Sequence, residues 1–195
     1  MSRPLAANHF NLLARVLHWT MALAILTMLF VGIGMVASLS LRPGLVSLHR
    51  PLGIAILLLV VVRLANRLRH PPPALPDDLP AIQKTAAKAS HVLLYALMFA
   101  MPLVGWAMVS AGGYPVAMFG GLSLPAIAPH DPIVYAVLRT AHRWLALVLL
   151  AVVLLHLAAA LYHAWVRRDG VFGAMARRAG SAPVGGETHG APGRH

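Results

Sequence analysis

The sequence predicts an all-α fold, a transmembrane four-helix bundle. Three observations predict it: the composition is strongly apolar, four apolar runs are long enough to cross a membrane, and histidines recur inside those runs. Hydrophobic residues make up 59% of the 195 residues, and charged residues make up only 11%. Because soluble domains use about 25% charged residues, the excess apolar surface of this chain must face lipid.

The four apolar runs each reach the ~20 residues that a membrane-spanning helix needs. They extend from about Leu12 to Leu39, Val46 to Leu64, Ala86 to Val109 and Ile133 to Trp165. The first run is too long for the ~7–15-residue core of a cleavable signal peptide, so we expect it to be a span. The predicted organisation is an N-terminal segment over 1–11, a four-helix domain over 12–168 and a disordered tail over 169–195.

The connections between the runs differ in character. Residues 40–45 contain Pro43-Gly44 and read as a short turn, and residues 70–82 contain a proline run and two aspartates and read as an extended polar loop. Residues 112–132 are rich in glycine and proline and carry little charge. We expect this last loop to lie against the membrane surface or to cover a buried group.

The basic residues indicate how the chain is oriented. The formal charge is +11, from 16 Lys+Arg against 5 Asp+Glu. These residues lie between apolar runs and not on one polar face, which argues against a nucleic-acid partner. All but four lie near the N-terminus, in the 63–88 region or after Trp165; the four are Arg42, Arg50, Arg139 and Arg143. Since cytoplasmic loops collect basic residues, both termini are predicted to be cytoplasmic in a bacterial inner membrane, with the other side periplasmic.

Histidines are nearly the only ionisable residues inside the spans. They are His18, His49, His91, His142, His156 and His163. Burying ionisable groups in a membrane is costly, so such residues are functional by default. The directions of the helices place two histidines toward the cytoplasm and two toward the periplasm. The predicted pairs are His18 with His156 and His49 with His142.

The spacing within the fourth helix indicates what the pairs could hold. His142 and His156 are fourteen residues apart, which is close to four helical turns, so they share one face at a separation of about 21 Å. That separation leaves room for two porphyrins along the bundle axis, and neutral imidazole is a normal axial ligand of b-type haem. The sequence therefore predicts two b haems with two histidine ligands each, an arrangement that favours electron transfer. With no cysteines, covalent haem attachment, thiolate zinc sites and iron–sulfur clusters are excluded.

Two other interpretations of the histidines remain open. Single polar residues in membrane helices often hydrogen-bond between helices and hold no cofactor. A zinc or copper site would instead make the chain a non-redox metal-binding or transport protein. The division into two levels argues against a metal site of that kind, because its ligands cluster within one small sphere.

Several neighbouring residues could also contact a haem. Arg50 and Arg143 each follow a predicted ligand and could pair with propionates, or they could be interface anchors whose heads reach the water. The glycines of the spans could admit a flat macrocycle or could only allow close helix packing. They are Gly32, Gly34, Gly53 and Gly105.

Taken together, these residues resemble the bacterial cytochrome b561 family of four-helix di-haem cytochromes. The segments that carry the resemblance are Leu17-His18-Trp19, Leu48-His49-Arg50-Pro51-Leu52-Gly53, Arg63-Leu64-Ala65-Asn66-Arg67, His91-Val92-Leu93-Leu94-Tyr95, Pro102-Leu103-Val104-Gly105-Trp106, Ala141-His142 and Leu155-His156-Leu157 through Tyr162-His163. The resemblance covers about residues 8–175. It implies two haems b held by the same histidine pairs, electron exchange with ubiquinone, and superoxide as a periplasmic electron donor.

The resemblance also implies a role for His163, whereas the role of His91 stays open. His163 is a candidate quinone contact and proton donor, or else a water-facing interfacial residue. His91 could hydrogen-bond a propionate, contact quinone or pack against a neighbour. The alternative function is that of a cytochrome b anchor subunit for a periplasmic hydrogenase or dehydrogenase, since such subunits share the bundle and the haems.

Overall fold

The computed structural model of the chain describes residues 10–73, 76, 78–118 and 121–176. It contains four long helices: α1 (Leu12–Ala37), α2 (Arg42–Arg69), α3 (Ala81–Ala111) and α4 (Pro132–Leu161). Two short strands, β1 (Val116–Ala117) and β2 (Ser123–Leu124), pair antiparallel between α3 and α4. A π-helical turn (Tyr162–Arg167) continues α4, and a short helix, α5 (Val171–Ala176), follows it.

The four long helices are each long and apolar enough to cross a membrane, which confirms the predicted fold class. Their ends differ from the prediction, because hydropathy marks the stretch that faces lipid whereas backbone hydrogen bonding continues beyond it. Thus α2 extends to Arg69 and not Leu64, and α3 begins at Ala81 and not Ala86. In the opposite direction, α1 stops at Ala37, where the extended backbone of Ser38 ends it.

The segment after α4 is more ordered than the sequence indicates. The predicted disordered tail begins at residue 169, but Val171–Ala176 are the helix α5, so the prediction is wrong for these residues. Arg15 and Trp19 of α1 hold this helix by donating to the carbonyl oxygens of Met175 and Ala176 over 3.3–3.4 Å. Residues 177–195 of the predicted tail and residues 1–9 of the predicted N-terminal segment lie outside the described residues.

The helices associate as two pairs. α1 packs along α2, and α3 packs along α4, with α2 against α3 as the main contact between the pairs. We call the end at which α1 begins and α4 ends the terminal end, and the opposite end, where α2 and α4 begin, the loop end. All four helices contribute to the buried core between these ends, which is centred on Val60 and consists of Met21, Ile25, Ile56, Val60, Leu97, Met98, Leu149 and Val152.

Hydrogen bonds at the terminal end fix the start of α1. The side chain of Asn11 caps the helix by accepting from the backbone N–H of Ala14 at 2.6 Å. The same side chain lies 3.4 Å from the amide of Asn66, a buried polar residue of α2. Because a cap satisfies a backbone donor that the helix cannot, Asn11 stabilises α1 and ties it to α2.

The Asn11 cap gives a stability prediction. Asn11→Ala removes the capping oxygen and should lower the free energy of unfolding by about 1 kcal/mol. Asn11→Ser keeps a capping oxygen and should lose less. Thermal unfolding of the purified proteins in detergent measures both effects, and equal stability of the two variants would show that the cap contributes nothing.

Candidate functional site

The loop end of the bundle brings His49 of α2 together with His142 of α4. Their ring centroids lie 6.1 Å apart, and the ring planes meet at 68°. The Nδ1 atom of each ring is buried and has no hydrogen-bond partner among the described residues. Because buried polar atoms nearly always have a partner, these two nitrogens point to a group that binds between or beside the rings.

The terminal end brings together a second pair, His18 of α1 and His156 of α4. The centroids of these rings lie 6.4 Å apart, and the planes meet at 67°. Each of the two pairs therefore takes one ring from the α1–α2 pair and one from α4. The seam between the two helix pairs thus holds a histidine pair at each end.

The distances within the pairs fit one metal ion between two imidazoles. A metal–nitrogen bond is about 2 Å, and the ring centre lies about 1 Å further, so two rings on opposite sides of one ion have centroids about 6 Å apart. The observed 6.1 Å and 6.4 Å match that separation. Within the described residues no group of three or more His, Cys, Asp or Glu side chains could hold a metal ion. The pairs therefore suit a metal with two axial protein ligands, as in haem, and do not form a tetrahedral zinc site.

His91 of α3 lies beside the pair at the terminal end. Its ring centroid is 5.6 Å from that of His156, with the planes at 70°. His156 therefore contacts both His18 and His91, which the depth argument from sequence could not predict.

Arg63 is a site residue that the sequence analysis used for topology and for the family resemblance but did not name as a site residue. Its Nη2 lies 3.1 Å from Nδ1 of His18, and its Nη1 donates to the carbonyl oxygen of Ala14 at 3.4 Å. Its guanidinium also lies 6.0 Å from the ring centroid of Tyr95, and that of Arg67 lies 5.8 Å from the same ring. Arg63 makes no ion pair within the described residues, so its charge is available to a carboxylate of a bound group. The signal in the sequence was an arginine six residues before Arg69, at the basic end of α2.

The two arginines predicted to contact propionates lie in different surroundings. Arg50 donates to the carbonyl oxygen of Pro115 at 3.3 Å and so joins α2 to the loop that contains β1. Arg50 also lines a cavity of about 380 Å³ at the loop end, together with Pro43, Val46, Ser47, Ala117 and Met118. Arg143 is exposed and makes no hydrogen bond or ion pair within the part of the chain that the structure describes.

One of the four glycines is packed against a histidine of the pairs. A Cβ atom at Gly105 of α3 would lie 3.1 Å from Cε1 of His142, closer than ordinary van der Waals contact. A Cβ at Gly53 would meet Met28 at 3.7 Å, and one at Gly32 would meet nothing within 4 Å. Of these four glycines, Gly105 is the one that faces a histidine ring, and the approach of a macrocycle to the glycines stays a prediction.

His163 lies at the terminal end, in the π-helical turn. Its Nδ1 is 2.6 Å from the Oδ2 atom of Asp169, which in turn is 3.1 Å from Nε of Arg167. The sequence placed His163 at this interface but did not identify Asp169 as its partner. Hydropathy alone could not predict this contact, because the chain reverses direction between His163 and Asp169.

Comparison with known proteins gives consistent results over nearly the whole chain. The sequence model described as prokaryotic cytochrome b561 matches residues 9–178. Cytochrome b561 homolog 2 of Escherichia coli (strain K12) is 28% identical over 166 residues, covering 83% of this chain and 88% of that protein. The probable superoxide oxidase CybB of Yersinia pestis is 32% identical over 155 residues, covering 78% of this chain and 87% of that protein.

The packing of Gly105 gives a prediction, for which a substitution of Gly32 is the control. Gly105→Ala should displace the ring of His142 and lower the haem content of the purified protein, because the added methyl overlaps Cε1. Gly32→Ala adds a methyl in open space and should leave the haem content unchanged. Haem per protein, measured by pyridine haemochromogen spectra, compares the two, and full haem content in Gly105→Ala would show that the ring is free to move.

Proposed function

We propose that this chain, which belongs to the prokaryotic cytochrome b561 family, transfers electrons between a periplasmic donor and the ubiquinone pool of the bacterial inner membrane. Membership of the family makes the chain a multi-pass membrane cytochrome that binds haem b. The observation that carries the proposal is the presence of two histidine pairs, one at each end of the seam between the helix pairs. Their ring centroids lie 6.1 Å and 6.4 Å apart.

The proposed ligands are His49 and His142 for one haem and His18 and His156 for the other. Haem b supplies a reversible one-electron iron couple, and two imidazole ligands leave its iron no open position for oxygen. α4 provides a ligand at each end, fourteen residues apart, so a single rigid helix sets the distance between the two sites.

Arginines at both ends are proposed to pair with haem propionates. At the terminal end Arg63 has a charge without an ion-pair partner among the described residues and lies against His18. At the loop end Arg50 and Arg143 follow the two ligands in sequence and lie at the surface. A guanidinium binds a carboxylate through two parallel hydrogen bonds, so these side chains can orient a haem as well as neutralise it.

The loop end is the proposed donor side, and superoxide is the proposed donor. The distribution of basic residues supports a periplasmic location for this end, because cytoplasmic segments collect Lys and Arg. The cavity lined by Arg50 opens there and suits a small anion, because its one charged lining residue is a cation. A relative over 78% of this chain carries the name probable superoxide oxidase. The balanced reaction takes two superoxide anions, one quinone and two protons to two molecules of oxygen and one quinol.

The terminal end is the proposed quinone side. Quinone reduction consumes protons, and three described histidines at this end lie outside the haem ligand pairs: His163, His91 and His70. His70 follows the last residue of α2, whereas His163 lies seven residues beyond His156, in the π-helical turn that continues α4 and near the end of its apolar span. It is the proposed quinone contact and proton donor, and His91 is a second candidate contact beside His156.

The ligand pairs predict which haem each substitution removes. His49→Ala and His142→Ala should both lose the same haem, and His18→Ala and His156→Ala should both lose the other, since one imidazole binds too weakly to retain it. Redox titration with low-temperature α-band spectra distinguishes the two haems. His130→Ala, outside the pairs, is the matched control and should retain both. Retention of two haems after loss of a proposed ligand would refute the pairing.

The donor is tested by direct reduction. Stopped-flow mixing of the purified oxidised protein with superoxide, with ubiquinone-1 present, should reduce haem faster than a sample that contains superoxide dismutase. Arg50→Gln should slow this reduction by several-fold and flatten its dependence on salt, because it removes the attracting charge. Arg42→Gln, which is not part of the cavity, is the control. A protein that superoxide does not reduce would instead require another donor.

A further inference from the structure

The residues that follow α4 form a compact histidine–carboxylate unit. Nδ1 of His163 lies 2.6 Å from Oδ2 of Asp169, and the two side chains are only 18% and 10% exposed. Of the three carboxylates in the described residues, Asp78, Asp131 and Asp169, only Asp169 contacts a histidine. The pair is therefore a specific partnership at the end of the bundle where quinone is proposed to react.

An unusual backbone brings the two side chains together. The π-helical turn Tyr162–Arg167 widens the end of α4, and Arg168 then adopts a left-handed conformation with φ of 54°. The N–H of Arg168 donates to the carbonyl oxygen of His163 at 2.9 Å, so the chain folds back and presents Asp169 to the ring. Left-handed backbone is unfavourable for a non-glycine residue and occurs often at functional sites, as do π-helical turns.

Both oxygens of Asp169 are held in place. Oδ2 faces His163 and Nε of Arg167, and Oδ1 accepts from the backbone N–H of Val171 at 3.2 Å. Burial raises the pKa of the Asp169 carboxyl, but the hydrogen bonds from His163 and Val171 and the charge of Arg167 outweigh it, so the pKa lies below its usual value. The group that faces Nδ1 is thus a carboxylate, which can only accept a hydrogen bond.

Among the described residues, few charged side chains are seen to contact His163 or its partner. They are Asp169, Arg167 and, through Arg167, Asp78, whose Oδ2 lies 2.5 Å from Nη2 of Arg167. The helix α5, which packs against the turn, has no ionisable residue. Asp78 is 72% exposed, so its ion pair with Arg167 contributes little.

We propose that Asp169 is the positioning residue of the quinone site: it holds His163 with its Nδ1 proton toward the carboxylate, so that Nε2 delivers a proton to reduced ubiquinone. This inference rests on the proposed role of His163 as a quinone contact. Nε2 makes no hydrogen bond within the described residues, so it is the ring nitrogen that can meet a ligand.

The proton balance of the step is simple. Imidazolium, stabilised by the carboxylate at Nδ1, loses its Nε2 proton to an oxygen of ubiquinone as electrons arrive from the donor side. The neutral ring keeps its Nδ1 proton hydrogen-bonded to Asp169, and Nε2 regains a proton from cytoplasmic water after quinol leaves. Two such transfers account for the two protons of the quinol.

A purely structural role for Asp169 is the competing interpretation. Its Oδ1 accepts from the first residue of α5, so Asp169 could serve only to anchor that helix. Asp169→Asn separates the two roles. The amide oxygen can still accept from Val171, but the amide nitrogen cannot accept from Nδ1 and would favour the opposite tautomer of His163.

The experiment uses the haem-loaded protein, reduced under anaerobic conditions and mixed with ubiquinone-1 in a stopped-flow instrument between pH 5.5 and 9. Asp169→Asn should slow haem oxidation by about tenfold or more at pH 7. It should also shift the pH–rate profile, because Nδ1 of His163 then faces a neutral amide and not a carboxylate. Asp169→Glu should restore part of the rate, and Asp78→Asn should match the wild type.

The outcomes separate this inference from the function on which it rests. If His163→Gln oxidises as fast as the wild type, the quinone role of His163 fails. If His163→Gln is slow while Asp169→Asn keeps the wild-type rate and profile, only the positioning role of Asp169 is overturned. An equal loss of rate in the Asn and Glu variants with an unshifted profile also overturns it, since anchoring of α5 alone would explain that result. If Asp169→Asn fails to accumulate with haem, Asp169→Ser takes its place, since its hydroxyl can also accept from Val171, and a wild-type rate in that variant rejects the proposal.

Discussion

Every buried imidazole of this bundle needs a partner that neither lipid nor an apolar core can provide. Outside a membrane, water would satisfy such rings at little cost, but between apolar helices each unpaired nitrogen costs free energy. The orphaned Nδ1 atoms of His49 and His142 show that requirement directly. The division of the helices into two pairs meets this need for a partner. The seam between the pairs can hold a group that is too large to fit within closely packed helices.

The two ends of the seam share a ring arrangement but differ in their electrostatics. At the loop end the charge near the histidines belongs to Arg50, which is tied to the β1 loop and lines an open cavity. At the terminal end Arg63 contacts His18 directly and lies over Tyr95 with Arg67. A cation so close to a ligand favours the reduced state of a bound haem, since reduction removes one positive charge from the iron. In the proposed haem-loaded protein, this difference between the ends would favour electron flow toward the terminal end.

The sequence predicted most of the fold because lipid imposes a simple pattern. A helix that crosses a membrane must be apolar over about 20 residues, so four runs and the alternating directions of the helices could be predicted without a structure. Those directions also placed His18 near His156 and His49 near His142, and the structure brings both pairs together, although ligation of haem stays a prediction. Hydropathy could not identify α5, because a six-residue helix has no periodic signal. Nor could it predict the Asp169–His163 contact, which depends on a π-helical turn and on one left-handed residue.

The docking of α5 on α1 has a consequence for the biosynthesis of the protein. Arg15 and its partner Met175 are 160 residues apart, so the contact between α1 and α5 cannot form until residue 175 has been synthesised. The first three helices and most of α4 are synthesised before this contact can form. A flat hydrophobic cofactor that reached the terminal end before that point would meet it without the contact between α1 and α5.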